Sequence, residues 1–196
     1  MIESRAKMLQ EIVLPLTSPE TEWIRGRAVQ KVSPTFDHGR VQAVLAAALL
    51  AWSPEHGVVA TEWRFRIRPP GEIRRPLVPD LAFVAFDRLD GLSHAELQSP
   101  AFAPSVAFEV LSPGDVAADV ASKIDTYLRG GSELVVVIDA TQRRMRLHAG
   151  GTTTELRGPA VLEHPALPGL KLPIAPLFAA ALDVPLHPAA RGAPEL

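Results

Sequence analysis

The chain of 196 residues contains no cysteine. This excludes disulfide bonds, cysteine-held iron–sulfur clusters and zinc sites built on thiolates. Aromatic residues make up only 6% of the chain, which leaves few rings on which a sugar could stack and disfavours a glycosidase, although that class also uses paired carboxylates. No apolar run reaches the roughly 18 residues of a membrane helix, and no signal peptide is evident. We therefore expect a cytoplasmic protein without a membrane partner.

The chain also lacks an excess of either charge. Twenty Lys and Arg against 22 Asp and Glu give a net charge of −2, so any binding of nucleic acid has to depend on local patches. A hydrophobic fraction of 47% over this length is enough for one core. We expect an N-terminal segment over 1–20, a single domain over 21–183, and a tail rich in proline and alanine over 184–196.

An acidic residue interrupts one of the most apolar stretches of the chain. Glu109 lies within Val106–Leu111, a run of residues that favour a β-strand. Burying an unpaired charge there costs roughly 2 kcal/mol or more. Two interpretations remain open: a hydrogen-bonded or ion-paired core glutamate, or a metal ligand, because a bound cation removes the penalty of ionising the buried carboxylate.

A helix is predicted after this strand, from Val116 to Arg129. Ser112 or Asp115 can cap its start, and Gly130-Gly131 can end it. Its buried side is expected to carry Val116, Val120, Ile124, Tyr127 and Leu128, and its solvent side Asp119, Ser122, Asp125, Thr126 and Arg129. Lys123 lies between these sets, so its ammonium either reaches solvent or pairs on its own helix, or follows the buried face toward the strand.

A second acidic residue begins the preceding apolar strand. Asp80 follows Pro79, a residue that suits the first position of a strand, and precedes Leu81–Phe86. Asp80 taken alone is typical of a turn. Together with Glu109 on the next core strand, it could instead form a site with two carboxylates.

These residues and their order resemble the restriction-endonuclease-like family of small bacterial proteins, a branch of the PD-(D/E)xK nuclease superfamily. The resemblance runs from about Trp23 to Phe178. Its motifs are Val78-Pro79-Asp80-Leu81-Ala82-Phe83-Val84, Phe108-Glu109-Val110-Leu111-Ser112-Pro113, and Lys123, Tyr127 and Gly130 followed by Leu134-Val135-Val136-Val137-Ile138-Asp139.

The resemblance implies an α/β (α+β) fold with a mixed β-sheet flanked by helices. It also implies metal-dependent hydrolysis of DNA phosphodiester bonds, with Asp80 and Glu109 as ligands of Mg²⁺ or Mn²⁺. Leu111 stands where the (D/E)xK motif places its lysine, and Lys123 on the helix takes over that role in members of this family. The expected catalytic residues are Asp80, Glu109 and Lys123. The alternative is a non-catalytic module that retains the fold and binds nucleic acid or forms a homodimer.

The remaining pattern predicts the elements around these residues. Trp23–Val32 reads as one or two antiparallel strands, and Asp37 can cap the next helix, whose first turn holds His38, a weaker candidate for the site. The expected buried residues of that helix are Val41, Val44, Leu45, Ala48, Leu49 and Trp52. Val58–Arg68 alternates as one half-buried antiparallel strand. Five arginines either bind phosphates or pair with neighbouring acids: Arg64, Arg66, Arg68, Arg74 and Arg75.

The topology is predicted from the two most apolar strands. Val106–Leu111 and Leu134–Asp139 are expected to be adjacent and parallel, joined by the helix as a right-handed crossover. A helical turn at His94–Leu97, a hairpin around Gly150-Gly151 and a short helix over Ala175–Leu182 complete the prediction.

Overall fold

A six-stranded mixed sheet forms the centre of the protein in the computed structural model, which describes residues 11–185. The predicted N-terminal segment up to residue 10 and the predicted tail from residue 186 lie outside the described residues. The strands are β1 (Thr21–Ile24), β2 (Arg27–Gln30), β3 (Gly57–Thr61), β4 (Phe65–Ile67), β5 (Arg75–Leu77), β6 (Leu81–Ala85), β7 (Val106–Val110), β8 (Leu134–Asp139), β9 (Arg144–Ala149), β10 (Thr152–Arg157), β11 (Val161–Leu162) and β12 (Leu172–Pro173). The helices are α1 (Phe36–Trp52), α2 (His94–Gln98), α3 (Ala117–Arg129) and α4 (Ile174–Leu182).

The strand order in the main sheet is β10-β9-β8-β7-β6-β3. Strands β7 and β8 are parallel, and every other neighbouring pair in this sheet is antiparallel. A parallel pair needs a long connection, and α3 supplies it. The predicted adjacency and parallel direction of the two apolar strands are confirmed, as is the mixed sheet flanked by helices.

The two faces of the sheet form two hydrophobic clusters. Leu81, Phe108 and Val136 belong to the larger cluster, which lies under α1 and α4. Their neighbours in sequence, such as Ala82 and Ala107, belong to the smaller cluster, which includes Tyr127 of α3. Since successive strand residues point to opposite faces, Glu109 lies on the same face as Ala107 and therefore points toward α3.

Helix α1 covers the larger cluster as predicted, with Val41, Leu45 and Leu49 fully buried. Its start differs from the prediction. Thr35, rather than Asp37, is the N-cap, and its hydroxyl accepts a hydrogen bond from the backbone N–H of His38 at 3.3 Å. Both residue types suit an N-cap, so composition alone did not distinguish the two positions.

Helix α3 also begins differently from the prediction. Its N-cap is Val116, without a side-chain cap, while Ser112 and Asp115 close their own turn, with the Ser112 N–H donating to Asp115 Oδ2 at 2.7 Å. The predicted end at Gly130-Gly131 is confirmed. Gly131 has φ +105°, and a Cβ on Gly130 would lie 2.3 Å from the Ile67 side chain, so the chain reverses where only glycine fits.

The predicted sides of α3 were partly wrong. Asp119 and Thr126, expected in solvent, are buried, whereas Val116 is 53% exposed. Thr126 accepts a hydrogen bond from Arg75 of β5 at 3.0 Å, and Asp119 is covered by the hairpin β1–β2, which packs beside the helix. Arg25 and Arg27 of that hairpin bind Asp119 at 3.3 Å and 2.5 Å. Helical periodicity identifies an apolar stripe but does not reveal which polar side a distant hairpin covers.

The predicted strand Val58–Arg68 is two strands in two sheets. Strand β3 is an edge of the main sheet, and β4 pairs with β5. Between them Glu62 adopts φ +50°, a conformation uncommon for residues other than glycine. Both pieces keep an alternating pattern, which is why periodicity joined them.

The shorter predicted elements are present. Strands β9 and β10 form a hairpin around Gly150-Gly151, with φ +53° and +77°. The helical turn is α2, and the short C-terminal helix is α4. No helix within residues 11–185 is long and apolar enough to cross a membrane.

Candidate functional site

A cavity of about 210 Å³ lies where the ends of β6 and β7 approach α3 and the hairpin β1–β2. Its wall combines apolar residues with an unusual concentration of charge. Nine ionisable residues of the described chain line it, namely Glu22, Arg27, Lys31, His38, Asp80, Glu109, Asp115, Asp119 and Lys123.

The two predicted carboxylates come together in this cavity. In the antiparallel pairing of β6 with β7, Leu81 lies opposite Phe108. One step further along the same register places Asp80 opposite Glu109, and side chains at opposite positions on one face have Cβ atoms about 4.5–5.5 Å apart. Asp80 is 2% exposed and Glu109 is 7% exposed. Asp80 is therefore part of the cavity wall and not a solvent-exposed turn residue.

Lys123 delivers its ammonium to the same cavity. Its Nζ lies 2.7 Å from Oε2 of Glu109, and 3.0 and 3.1 Å from the two carboxylate oxygens of Glu22. The Tyr127 hydroxyl, one turn further along α3, donates to Oε1 of Glu109 at 2.9 Å. The predicted contact between Lys123 and Glu109 is thus present in the structure, whereas the catalytic role of Lys123 stays a prediction.

Asp80 is held by a different set of donors. The backbone N–H of Val110 donates to its Oδ2 at 2.7 Å, and Lys31 Nζ donates to its Oδ1 at 2.7 Å. The Lys31 ammonium also donates to Oε2 of Glu62 at 2.7 Å and to the carbonyl oxygen of Val78 at 3.2 Å. Each carboxylate of the predicted pair therefore has its own lysine.

His38 forms part of the cavity wall between Asp80 and the turn after β7. Its Nδ1 lies 3.0 Å from Oγ of Ser112, and its Nε2 lies 3.6 Å from Oδ1 of Asp80. The side chain is buried. The predicted weak candidate is thus next to the carboxylate pair, where it limits the orientations open to Asp80.

The surroundings change the acidity of the central groups. Burial raises the pKa of Glu109 to about 7. Burial would likewise raise the pKa of Asp80, but His38 and the charges of Lys31 and Lys123 outweigh it and hold that pKa well below its usual range. For Lys123 burial lowers the pKa, yet the carboxylates of Glu109 and Glu22 raise it above its ordinary value. Asp80 is therefore ionised and Lys123 protonated at neutral pH.

Sequence reasoning missed two residues of the cavity, Glu22 and Lys31. Glu22 is 3% exposed, and its Oε1 also accepts a hydrogen bond from the Val78 N–H at 2.8 Å. A signal for Glu22 did exist, since it occupies the same side of β1 as the buried Ile24. Lys31 follows the end of β2, and nothing in its local sequence distinguishes it from a solvent-exposed lysine.

Within residues 11–185, none of the five arginines between Arg64 and Arg75 lines the cavity. Arg64 pairs with Glu20, and the remaining members contact acids or carbonyl oxygens. These contacts are Arg66 with Glu11 at 3.0 Å, Arg74 with Glu11 at 3.8 Å, Arg75 with Glu72 at 2.5 Å, and Arg68 with the Glu72 carbonyl at 3.3 Å. Within residues 11–185 the interpretation as acid-paired arginines is therefore favoured over a phosphate-binding row.

The predicted metal can be tested against the donors that are present. Within residues 11–185 no group of three or more His, Cys, Asp or Glu side chains is arranged to hold a metal ion. Asp80 and Glu109 nevertheless supply adjacent carboxylate oxygens, which suit a hard cation such as Mg²⁺ or Mn²⁺. Since each carboxylate has an ammonium partner, a cation would have to displace or join one of them.

A mixed sheet flanked by helices, with Asp80 and Glu109 at the ends of β6 and β7 and Lys123 reaching Glu109 from α3, is the arrangement expected of a restriction-endonuclease-like domain. A family model described as "Putative restriction endonuclease" (Uma2) matches residues 10–175, and the chain belongs to this family. A crystal structure from Anabaena variabilis, described as "a putative nuclease belonging to DUF820", is similar in fold. It aligns with a TM-score of 0.76 and 24% sequence identity over 86% of this chain and 95% of that one. A search of curated proteins found no match.

Proposed function

We propose that the protein is a metal-dependent endonuclease that hydrolyses phosphodiester bonds in DNA, with Asp80, Glu109 and Lys123 as its catalytic residues. One observation carries the proposal. Lys123 reaches the Glu109 carboxylate from α3, in the cavity that Asp80 also lines. Lys123 thus supplies the ammonium that Leu111, at the usual lysine position of the motif, cannot supply. Its position is consistent with the family to which the chain belongs.

Asp80 and Glu109 are the residues that would hold Mg²⁺ or Mn²⁺. A bound ion of this kind supplies neutralisation of phosphate charge and lowers the pKa of a coordinated water. The Val110 N–H keeps Asp80 Oδ2 fixed, and the Tyr127 hydroxyl fixes the rotamer of Glu109. Because both side chains are nearly buried, neither has to be ordered when substrate binds.

Lys123 contributes charge stabilisation. Its pKa is raised, so it carries a full positive charge at neutral pH. An ammonium next to Glu109 can orient the attacking water and stabilise the negative charge that develops on the phosphorane in the transition state. Its low exposure of 7% strengthens that interaction, because little water screens it.

The shape of the cleft is compatible with a chain-like substrate. A second cavity of about 580 Å³ shares Lys31, Val32, His38 and Asp80 with the first. Asp80 therefore lines both cavities, although its own side chain is only 3% exposed. A phosphodiester within a polymer needs such room on both sides of the reacting phosphate.

A non-catalytic module that retains the fold is the second candidate. One observation favours it: the oxygens of Asp80 and Glu109 all have partners or close neighbours within the described residues, as in a structural ion-pair network. On this interpretation the lysines neutralise the carboxylates permanently, and divalent ions have no effect on the protein.

Cleavage of a mixed pool of single- and double-stranded DNA separates the two candidates. Wild type is compared in Mn²⁺, Mg²⁺ and EDTA with Glu109→Gln, and with Glu163→Gln as a control at an exposed acid. We expect metal-dependent cleavage by the wild type and the control, and none by Glu109→Gln. Intact DNA, together with a melting temperature that Mn²⁺ does not raise, would establish the non-catalytic module instead.

A further inference from the structure

The ammonium of Lys31 lies in a cradle of oxygen atoms beside Asp80. Three oxygens surround it: Oδ1 of Asp80 at 2.7 Å, Oε2 of Glu62 at 2.7 Å and the Val78 carbonyl at 3.2 Å. Two carboxylates and one carbonyl are a donor set that hard divalent cations use in proteins. The Lys31 ammonium therefore lies among oxygen atoms of the kind that bind a divalent metal ion.

The backbone and a fixed side chain build this cradle. Glu62 lies at the left-handed break after β3, and its N–H donates to the Asp80 carbonyl at 3.2 Å. The amide of Gln42, on α1, donates to the same carbonyl at 2.9 Å and to Oε1 of Glu62 at 3.0 Å. Val78 and Asp80 are buried, so their two oxygens are held in place by surrounding structure. The Glu62 side chain is 43% exposed, and the Gln42 amide holds its carboxylate beside them.

Asp80 stands between two positions for positive charge. Its Oδ1 faces Lys31, while Glu109 lies opposite on the neighbouring strand. Paired-metal phosphodiesterases place two ions about 3.5–4 Å apart, often around a shared carboxylate. In this protein one of the two positions beside Asp80 is occupied by the ammonium of Lys31.

We propose that Lys31 takes the place of a second metal ion, so that the site binds one divalent ion, on the Glu109 side of Asp80. This inference rests on the proposed function, because it concerns how many ions that function uses. Lys31 acts as a positioning residue: it neutralises Asp80 and keeps the second cradle closed to metal. The contacts around Asp80 fix the position of the Lys31 ammonium, and the single exchangeable ion is the part that the proposed function supplies.

Counting bound ions tests the inference without any activity assay. Mn²⁺ is titrated into the full chain by calorimetry, with the number of ions per chain checked by equilibrium dialysis. The wild type should bind one ion, and Lys31→Met should bind two, because the emptied cradle keeps its three oxygens. Lys171→Met is the matched control, since Lys171 is 71% exposed and remote from the cavity wall, and it should bind one.

A double variant identifies the position of the additional ion. Lys31→Met combined with Glu62→Gln removes one carboxylate of the cradle and should return the count to one. If Lys31→Met is unfolded without metal, Mn²⁺ should restore its circular dichroism spectrum and two ions should bind. Failure to refold with Mn²⁺ would overturn the inference.

The outcomes distinguish this inference from the proposed function. Two ions on the wild type, or one ion on both the wild type and a folded Lys31→Met, overturn the inference and leave metal-dependent catalysis intact. A wild type that binds no Mn²⁺ overturns the proposed function and the inference together.

Discussion

Two of the ion pairs on helix α3 differ in depth. Lys123 and Glu109 each have side chains 9% exposed, whereas Arg129 and Asp125, which pair near the end of the same helix, are 44% and 56% exposed. Water screens the outer pair and solvates either partner alone, so exposed pairs contribute little to stability. Breaking the inner pair leaves a charge without solvent. The comparison shows that the burial of an ion pair, and not its presence alone, indicates which residues affect stability and activity.

The largest expected effect is the loss of catalysis when the buried pair of Lys123 and Glu109 is broken. Lys123→Met should lower kcat for metal-dependent DNA cleavage by about 10²–10³-fold, the usual loss when a group stabilising transition-state charge is removed. Mn²⁺ affinity should be retained, since lysine aids the transition state without holding the metal. Single-turnover cleavage and calorimetry measure the two quantities. Unchanged cleavage would refute the role assigned to the helix lysine.

The next effect is on stability. Lys123→Met leaves Glu109 and Glu22 without their shared cation, and removing one partner of a buried pair typically costs about 3–5 kcal/mol of unfolding free energy. Urea unfolding at pH 8 without metal measures this loss. Adding Glu109→Gln to Lys123→Met should recover part of it, because one buried charge is then removed. No recovery would show that the lysine acts through packing of its stem.

The inner pair should also make stability depend on pH. The folded pKa of Glu109, about 7, lies above its ordinary value, so the contribution of this group is fully present below about pH 4.3 and is lost as the pH rises through 7. Between these values the wild type should lose stability relative to Glu109→Gln, as measured by urea unfolding at a series of pH values. The groups acting on Glu109 are Lys123, Asp80, Glu22, Lys31 and Tyr127.

Asp80 should make stability depend on pH in the opposite direction, and at lower pH. Its folded pKa lies below its ordinary value, so its stabilising contribution is present above about pH 4 and is lost as the pH falls through the folded pKa. Melting curves of wild type and Asp80→Asn should therefore converge toward acid. Curves that stay parallel from pH 5 to pH 2 would contradict the cationic surroundings assigned to Asp80.

The smallest effect is expected at the outer pair. Arg129→Gln should leave the urea midpoint and the cleavage rate unchanged, because its two acidic partners, Asp125 and Glu72, remain hydrated when the contacts are broken. The same measurements as for Lys123→Met provide the comparison on one helix. A loss at Arg129 similar to that at Lys123 would mean that position along α3, and not depth, governs the result.

The sequence determined the central strands and the three predicted residues of the site. Glu109 and Asp80 stand out because each is an acid at or within an apolar strand, and Lys123 because helical spacing places it beside an apolar stripe. The parallel pair β7–β8 followed from two apolar runs separated by one helix. All of these signals depend on residues close together along the chain, which is the range over which strand and helix periodicity operates.

Only the tertiary structure decided which other groups reach the site. Lys31 lies 49 residues from Asp80 in sequence, and Glu22 lies 101 residues from Lys123, yet both form direct contacts. The same folding broke Val58–Arg68 into two sheets at Glu62 and buried Asp119 beneath a hairpin. Such contacts join elements that are far apart in the sequence. The hydrophobic periodicity of each element describes that element alone and does not predict which other elements it contacts. Burial then gives them their strength, because it removes the water that would otherwise screen each charge.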